Sequence, residues 1–282
     1  MAKFPRRRPK NAAGKQSLFS RFARRKGADG ADRPRSRGIY LLPNAFTTGA
    51  LFCGFFAIVM AMNQRFEHAA WAIFVAMLLD GLDGRVARLT NTQSEFGAQY
   101  DSLSDMVSFG AAPALVIYEF SLRGLGKLGW IAAFVYCAGA ALRLARFNTN
   151  IEVVDKRYFQ GLPSPAAASL IAGFVMLMTD LEVAGVMYPW QGWVLALFAG
   201  LSMVSNVPFY SFKDINFRKS VPFIAVFLIA MFFALISIDP PKVLFVLFVA
   251  YGLSGYVIYL SRLAKGNPVK LIEKTTTPDD KA

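Results

Sequence analysis

From residue 41 onward the chain alternates long apolar runs with short polar joints, and a polar arm precedes them. Eight runs follow one another, at 41–62, 68–88, 97–120, 127–147, 163–180, 188–207, 220–237 and 243–262. Each is about 17 to 25 residues long, the length that a hydrocarbon core of about 30 Å demands of a helix. The pattern predicts an all-α fold, a polytopic transmembrane bundle of about eight spans. Its least distinct joint lies within 163–207, where Asp180 and Glu182 form the only polar break between two apolar runs.

Composition sharpens this picture. The chain is 55% hydrophobic with a mean hydropathy of +0.40, yet its formal net charge is +13. Apolar and basic residues must therefore be segregated, and they are: residues 1–38 hold 13 of the 31 lysines and arginines. Such a segment buries too little apolar surface to fold alone. Leu18, Phe19 and Phe22, set among Arg21, Arg24, Arg25 and Lys26, fit one or two turns lying on anionic headgroups. A basic arm also suits nucleic acid, but nothing downstream resembles a nucleic-acid module, so no nucleic-acid partner is expected. The apolar run that begins near Tyr40 is too long for a signal-peptide core and lacks a small-residue cleavage site. The expected organisation is a basic cytoplasmic arm at 1–38, disordered or interfacial, a transmembrane catalytic domain at 39–265 and a cytoplasmic tail at 266–282.

With the arm inside, the external joints carry only Arg65, Arg123, Lys127 and Lys242 among the basic residues. That bias follows the positive-inside rule and sets the orientation, with both termini cytoplasmic. The second span then ends inward at Asp80 to Arg88, the third starts there at Gly97 to Asp105, and the fourth ends there with Arg143 and Arg146. The polar groups are therefore expected at the cytoplasmic face of the membrane.

Within this frame the stretch DGLDGRVARLTNTQSEFGAQYDSLSD, Asp80 to Asp105, stands out. Acids next to hydrocarbon are costly and mark functional sites by default. Asp80 and Asp83 are three residues apart and Asp101 and Asp105 four, so each pair projects from one helix face. Gly84, Ala87 and Gly97 on the same faces leave a hollow. Four carboxylates around a hollow repel one another unless a cation sits among them. Oxygen-only ligands select a hard ion, Mg²⁺ or Mn²⁺, and Mg²⁺ is commonly held by a few carboxylates plus substrate phosphates. Arg85 and Arg88 follow one turn later, placed for remaining phosphate charge. The plainer alternatives are ion pairs between these acids and Arg85, Arg88, Arg143 or Arg146, and small residues that merely let helices pack closely.

The fixed positions read Asp80-x2-Asp83-Gly84-x2-Ala87-Arg88-x8-Gly97-x3-Asp101-x3-Asp105. This resembles, without departure, the signature of the CDP-alcohol phosphatidyltransferases. Two flanking stretches, LPNAFTTGALFCGFFAI and RLARFN followed by GLPSPAAA, resemble the integral-membrane phosphatidylserine synthase branch of bacteria and archaea. The resemblance spans roughly residues 40 to 265 and implies a six-helix core plus two C-terminal helices. It implies transfer of a phosphatidyl group from CDP-diacylglycerol to L-serine with release of CMP, with Asp80, Asp83, Asp101 and Asp105 as metal ligands and Asp105 as general base. It further implies that Gly84, Ala87 and Gly97 line the nucleotide pocket, that Arg88 faces the phosphates, that Ser94 contacts the nucleotide, and that the protein is a homodimer.

Other positions read two ways. Pro43 to Thr48 is a helix start with Pro and Asn at early positions, and also a set of free backbone amides for a phosphate; the resemblance favours nucleotide-lipid contact by Asn44 and Thr47. Arg143 and Arg146 fit interfacial anchors that snorkel to the membrane surface. They equally fit the serine carboxylate, together with Asn148 and Ser164. His68 falls at the far end from the acids, and Cys53 and Cys137 read as small apolar residues. The signature describes the nucleotide half of the site, so glycerol 3-phosphate, inositol phosphate or choline stand as alternative acceptors. An ion-coupled transporter is a distant alternative.

Overall fold

The computed structural model describes residues 37–149, 158–211 and 223–265. The expected arm and tail fall almost wholly outside the described residues. The chain divides into units at 1–40 and 41–282. Of the first, only the opening residues of a helix are described.

The helices are α1 (Arg37–Met62), α2 (Phe66–Thr90), α3 (Glu95–Asp105), α4 (Ala112–Ile117), α5 (Lys127–Thr149), α6 (Ser164–Asp180), α7 (Pro189–Val204), α8 (Phe223–Ile238) and α9 (Pro240–Ala264). They match the eight apolar runs to within a few residues, except that the third run is not one regular helix and that α1 begins at Arg37, so Pro43 to Thr48 lie inside it and are not a helix start with free amides. Between α3 and α4 the backbone widens into a π-helical turn at Met106–Ala111, and after α4 it widens again at Tyr118–Leu122 before a 3₁₀ turn at Arg123–Leu125. Pro113 gives one physical cause. In an α-helix the Phe109 carbonyl accepts from the amide of residue 113, and proline has none. The hydroxyl of fully buried Tyr136 on α5 donates to that carbonyl instead, at 3.0 Å.

By length and composition three of the described helices suffice to cross a membrane: α1 from Leu42, α5 and α9. The expectation of eight such spans meets two physical differences. With 17 and 16 residues, α6 and α7 are apolar but each about 25 Å long, short of a 30 Å core. At 25 residues α2 is long enough, but its last eleven residues carry Asp80, Asp83, Arg85 and Arg88. The weak joint near Asp180 is real. There α6 ends, and Glu182 turns the chain with φ of 55°.

Every residue from Ala167 to Met176 is buried, which makes α6 the central helix; an all-round apolar helix belongs in the core. It packs against α2 and α9. Backbone contact joins α5 and α7, since a Cβ at Gly139 would stand 2.4 Å from the Gly200 carbonyl oxygen. Small residues at such crossings let membrane helices approach closely. One feature the all-α reading did not anticipate is a short antiparallel ribbon, β1 (Tyr158–Gln160) with β2 (Pro208–Tyr210), Phe159 opposite Phe209. Three-residue strands carry no periodicity by which to be found. The ribbon leads into Gly161, whose φ of 78° turns the chain into α6.

Candidate metal and nucleotide site

The site forms where α2 ends and α3 begins. Asn91 closes α2 in the left-handed conformation, and the Ser94 hydroxyl caps α3 by accepting from the Gly97 amide at 3.0 Å. This tight turn sets the acid-bearing faces of α2 and α3 against each other. Asp80, Asp101 and Asp105 each direct one carboxylate oxygen into a cluster whose members lie within 4.8 Å of one another.

No ion pair closes on that cluster among the described residues: Arg123 with Glu119 and Lys242 with Asp239 pair elsewhere, and Arg143 acts on Asp80 and Asp105 only at electrostatic range. One oxygen of Asp101, Oδ1, is buried without a hydrogen-bond partner. Buried carboxylate oxygens left without partners are costly. A hard divalent cation satisfies this donor set, so the residues fit the ion that the spacing implies.

Asp83 is placed differently from the other three acids. Only 5% exposed, its carboxylate accepts from the Thr47 hydroxyl of α1 at 2.6 Å. The Thr47 carbonyl accepts in turn from Ser104 of α3 at 3.1 Å. Three helices are thereby tied at one point, beside the cluster.

Next to this tie opens a cavity of about 400 Å³, lined by Pro43, Asn44, Thr47, Asp83, Gly84, Ala87, Arg88, Thr92, Gln93, Ser94, Gly97, Ala98 and Asp101. All seven residues expected at the nucleotide are on its wall. Arg85 is exposed and does not line it. Thr92, Gln93 and Ala98 were missed; only the small side chain of Ala98, beside Gly97, offered a signal. Gly84 separates the two readings of the small residues, because a Cβ there would meet nothing within 4 Å. Helix packing does not account for that glycine, whereas an occupant of the cavity does. A second cavity of about 520 Å³, with Leu170, Trp190, Phe198 and Leu253 in its wall, is apolar and touches none of the acids.

The four residues expected at the acceptor separate into three places. Arg143 turns inward: its Nη1 donates to the fully buried Ser164 hydroxyl at 2.8 Å, and it stands within electrostatic reach of Asp105 and Asp80. Its Nε is buried with no hydrogen-bond partner. Arg146 instead reaches Asn206 at 3.4 Å, which also accepts from Gln160 of β1 at 2.8 Å. Asn148 donates to Ser102 of α3 at 3.0 Å. His68 is exposed near the start of α2, twelve residues or about 18 Å along the helix from Asp80. Cys53 and Cys137 are free thiols.

Residues 40–204 match the family described as CDP-alcohol phosphatidyltransferase. The chain is 35% identical over 230 residues to a protein of Helicobacter pylori strain J99 named CDP-diacylglycerol–serine O-phosphatidyltransferase, covering 80% of this chain and 94% of that one. A protein of the same name from Methanocaldococcus jannaschii is 34% identical over 188 residues, 67% of this chain and 82% of that one. Another, from Saccharomyces cerevisiae, is 32% identical over 192 residues, 63% of this chain and 62% of that one.

Proposed function

The chain belongs to the CDP-alcohol phosphatidyltransferase family, and we propose that within it this protein transfers the phosphatidyl group of CDP-diacylglycerol to the hydroxyl of L-serine, giving phosphatidylserine and CMP. It is an enzyme and an integral membrane protein. The observation that carries the chemistry is the cluster of Asp80, Asp101 and Asp105 oxygens within 4.8 Å, opening beside a cavity that Gly84 leaves wide.

In this reading Asp80, Asp83, Asp101 and Asp105 hold divalent cations, two Mg²⁺ or Mn²⁺ ions. Bound there, such ions supply charge neutralisation for a diphosphate. Gly84, Ala87 and Gly97 leave room for the cytidine, Asn44, Thr47 and Ser94 contact it, and Arg88 meets the phosphates. Asp105 accepts the proton of the serine hydroxyl, since an alcohol is a weak nucleophile until its proton has somewhere to go. The freed oxygen attacks the lipid-bearing phosphorus, and the bond to CMP breaks on the opposite side. Arg143 receives the serine carboxylate, with its Ser164 bond holding the guanidinium in place. Arg146 and Asn148 shape the same end of the bundle. Positioning and electrostatics supply most of the rate in such reactions.

We place the site at the cytoplasmic face of a prokaryotic membrane, from the distribution of basic residues, and take the protein as a homodimer. We take residues 1–38 as a basic cytoplasmic arm, 39–265 as the catalytic domain and 266–282 as a cytoplasmic tail. The deciding experiment supplies purified protein with CDP-diacylglycerol, Mn²⁺ or Mg²⁺ and each labelled alcohol in turn. Serine-dependent CMP release that stops on chelation is expected. Turnover with glycerol 3-phosphate, inositol phosphate or choline and none with serine would reassign the acceptor, and activity indifferent to chelators would remove the metal.

A further inference from the structure

Two hydrogen bonds join α3, with the π-helical turn that continues it, to α5. One lies in the last turn of α5, where Asn148 Nδ2 donates to the Ser102 hydroxyl at 3.0 Å; that hydroxyl is itself anchored one turn back, on the Ala98 carbonyl at 3.1 Å. The other lies deeper in the bundle, where Tyr136 donates to the Phe109 carbonyl at 3.0 Å. The pairings of 102 with 148 and of 109 with 136 run in opposite senses. The two helices are therefore antiparallel, with their register fixed at two points.

Between these two struts sit two residues of the proposed reaction. Three of the seven steps from Ser102 to Phe109 lead to Asp105, and five of the twelve steps from Asn148 to Tyr136 lead to Arg143. Those fractions are nearly equal, so Asp105 and Arg143 stand at one level of the bundle. Ser102 and Asp105, three apart, share a face of α3, and Tyr136 and Arg143, seven apart, share a face of α5. The electrostatic influence of each on the other agrees with this placement. Yet the guanidinium does not close on the acid. Its Nη1 bonds Ser164 at 2.8 Å instead, and its Nε is buried with no hydrogen-bond partner. A molecule with a hydroxyl at one end and a carboxylate at the other spans this arrangement: the hydroxyl meets Asp105, and the guanidinium takes the carboxylate through parallel N–H bonds. The length of such a molecule has to match the separation of α3 and α5, which the two struts set.

We propose that the bond between Asn148 and Ser102 gauges acceptor length: Asn148 is a positioning residue that holds Arg143 and Asp105 at the spacing of a β-hydroxy acid, in which one carbon separates the hydroxyl-bearing carbon from the carboxyl carbon. This role depends on the serine-transfer reading above and adds to it the part that measures the substrate. Asn148 itself touches no substrate and acts through the two helices it joins.

The test compares L-serine with L-homoserine, which is longer by one methylene. Full-length protein in detergent micelles with Mn²⁺ and CDP-diacylglycerol is assayed for CMP release. Both partners of the bond lie at the surface, so Asn148→Ala and Ser102→Ala remove it without opening the core. Each variant should raise the KM for serine about fivefold and shrink the preference for serine over homoserine, since misplacement of reacting groups is costly. The double variant should be no worse than either single one, because both delete the same bond. The KM for CDP-diacylglycerol and the Mn²⁺ affinity read by electron paramagnetic resonance should stay within about twofold of wild type, as the acids themselves are untouched. A rise in Asn148→Ala that Ser102→Ala does not share would make Asn148 a direct serine contact and overturn the gauge. An unchanged preference in both variants, or a wild-type protein that uses homoserine as well as serine, overturns it too while leaving serine transfer intact. A wild-type protein that releases no CMP with serine overturns both.

Discussion

The Thr47 hydroxyl of α1 lies 2.6 Å from the Asp83 carboxylate of α2, and both groups are almost fully buried. This pairing explains why four acids on regular spacing do not form one symmetric cluster. Asp83 is drawn toward the cavity, while Asp80, Asp101 and Asp105 converge beside it. Thr47→Val keeps the shape and deletes the donor, which leaves a buried carboxylate short of one hydrogen bond, a loss of about 1–3 kcal/mol. About tenfold weaker use of CDP-diacylglycerol is expected, with the serine requirement unchanged. Steady-state kinetics at varied lipid mole fraction check this, and Thr47→Ser should recover most of the loss.

Gly84 offers a cleaner separation of fold from function. Its Cβ position faces open space inside a helix, where alanine is favoured over glycine by about 1 kcal/mol. Gly84→Ala should therefore leave the Tm equal or higher, and Gly84→Val should leave the protein folded. Both should weaken nucleotide-lipid binding, the valine by tenfold or more, because the added carbons enter the cavity. A fall in Tm with unchanged binding would return this glycine to helix packing.

The proposed mechanism divides the acids by task. Asp105→Asn should abolish turnover while CDP-diacylglycerol still binds, because the amide cannot accept the serine proton. Asp101→Asn should weaken Mn²⁺ binding itself, since it replaces one of the charged oxygens in the cluster. Titration of the lipid-free protein followed by electron paramagnetic resonance reads metal affinity apart from catalysis. Full turnover in Asp105→Asn would remove the general-base role.

Much of this was legible in the sequence for a physical reason. Membrane helices are set by apolar length, and that signal survives without tertiary context, so the helix ends fell within a few residues. The spacing of Asp101 and Asp105 put both on one face because i and i+4 always do so on a helix. What escaped depends on through-space contacts. The Thr47–Asp83 bond joins residues 36 apart, and no local pattern announces it. Arg143 and Arg146 sit three residues apart with the same chemistry, yet one turns inward to Ser164 and the other toward Asn206. The π-helical turns were equally hidden, because Pro113 by itself is compatible with a kink, a break or a widened turn.

That widened turn yields the last prediction. Tyr136 donates to the Phe109 carbonyl, whose α-helical partner would be the amide that Pro113 lacks. The turn begins at Met106, directly after Asp105, and Arg143 lies two helical turns beyond Tyr136 on α5. One hydrogen bond thus joins the helix that carries two acids to the helix that carries the inward arginine. Tyr136→Phe deletes a hydrogen bond to a buried carbonyl and should lower the Tm by a few degrees, in keeping with a loss of about 1 kcal/mol. Pro113→Ala restores an amide at the position from which an α-helix would satisfy the same carbonyl. In that background the tyrosine hydroxyl should matter less, so the two substitutions are expected to be non-additive, with a coupling of about 1 kcal/mol. Thermal unfolding of the four proteins of this cycle, in one detergent and at one Mn²⁺ concentration, measures it. Strict additivity would show that Tyr136 stabilises the bundle without substituting for the missing amide.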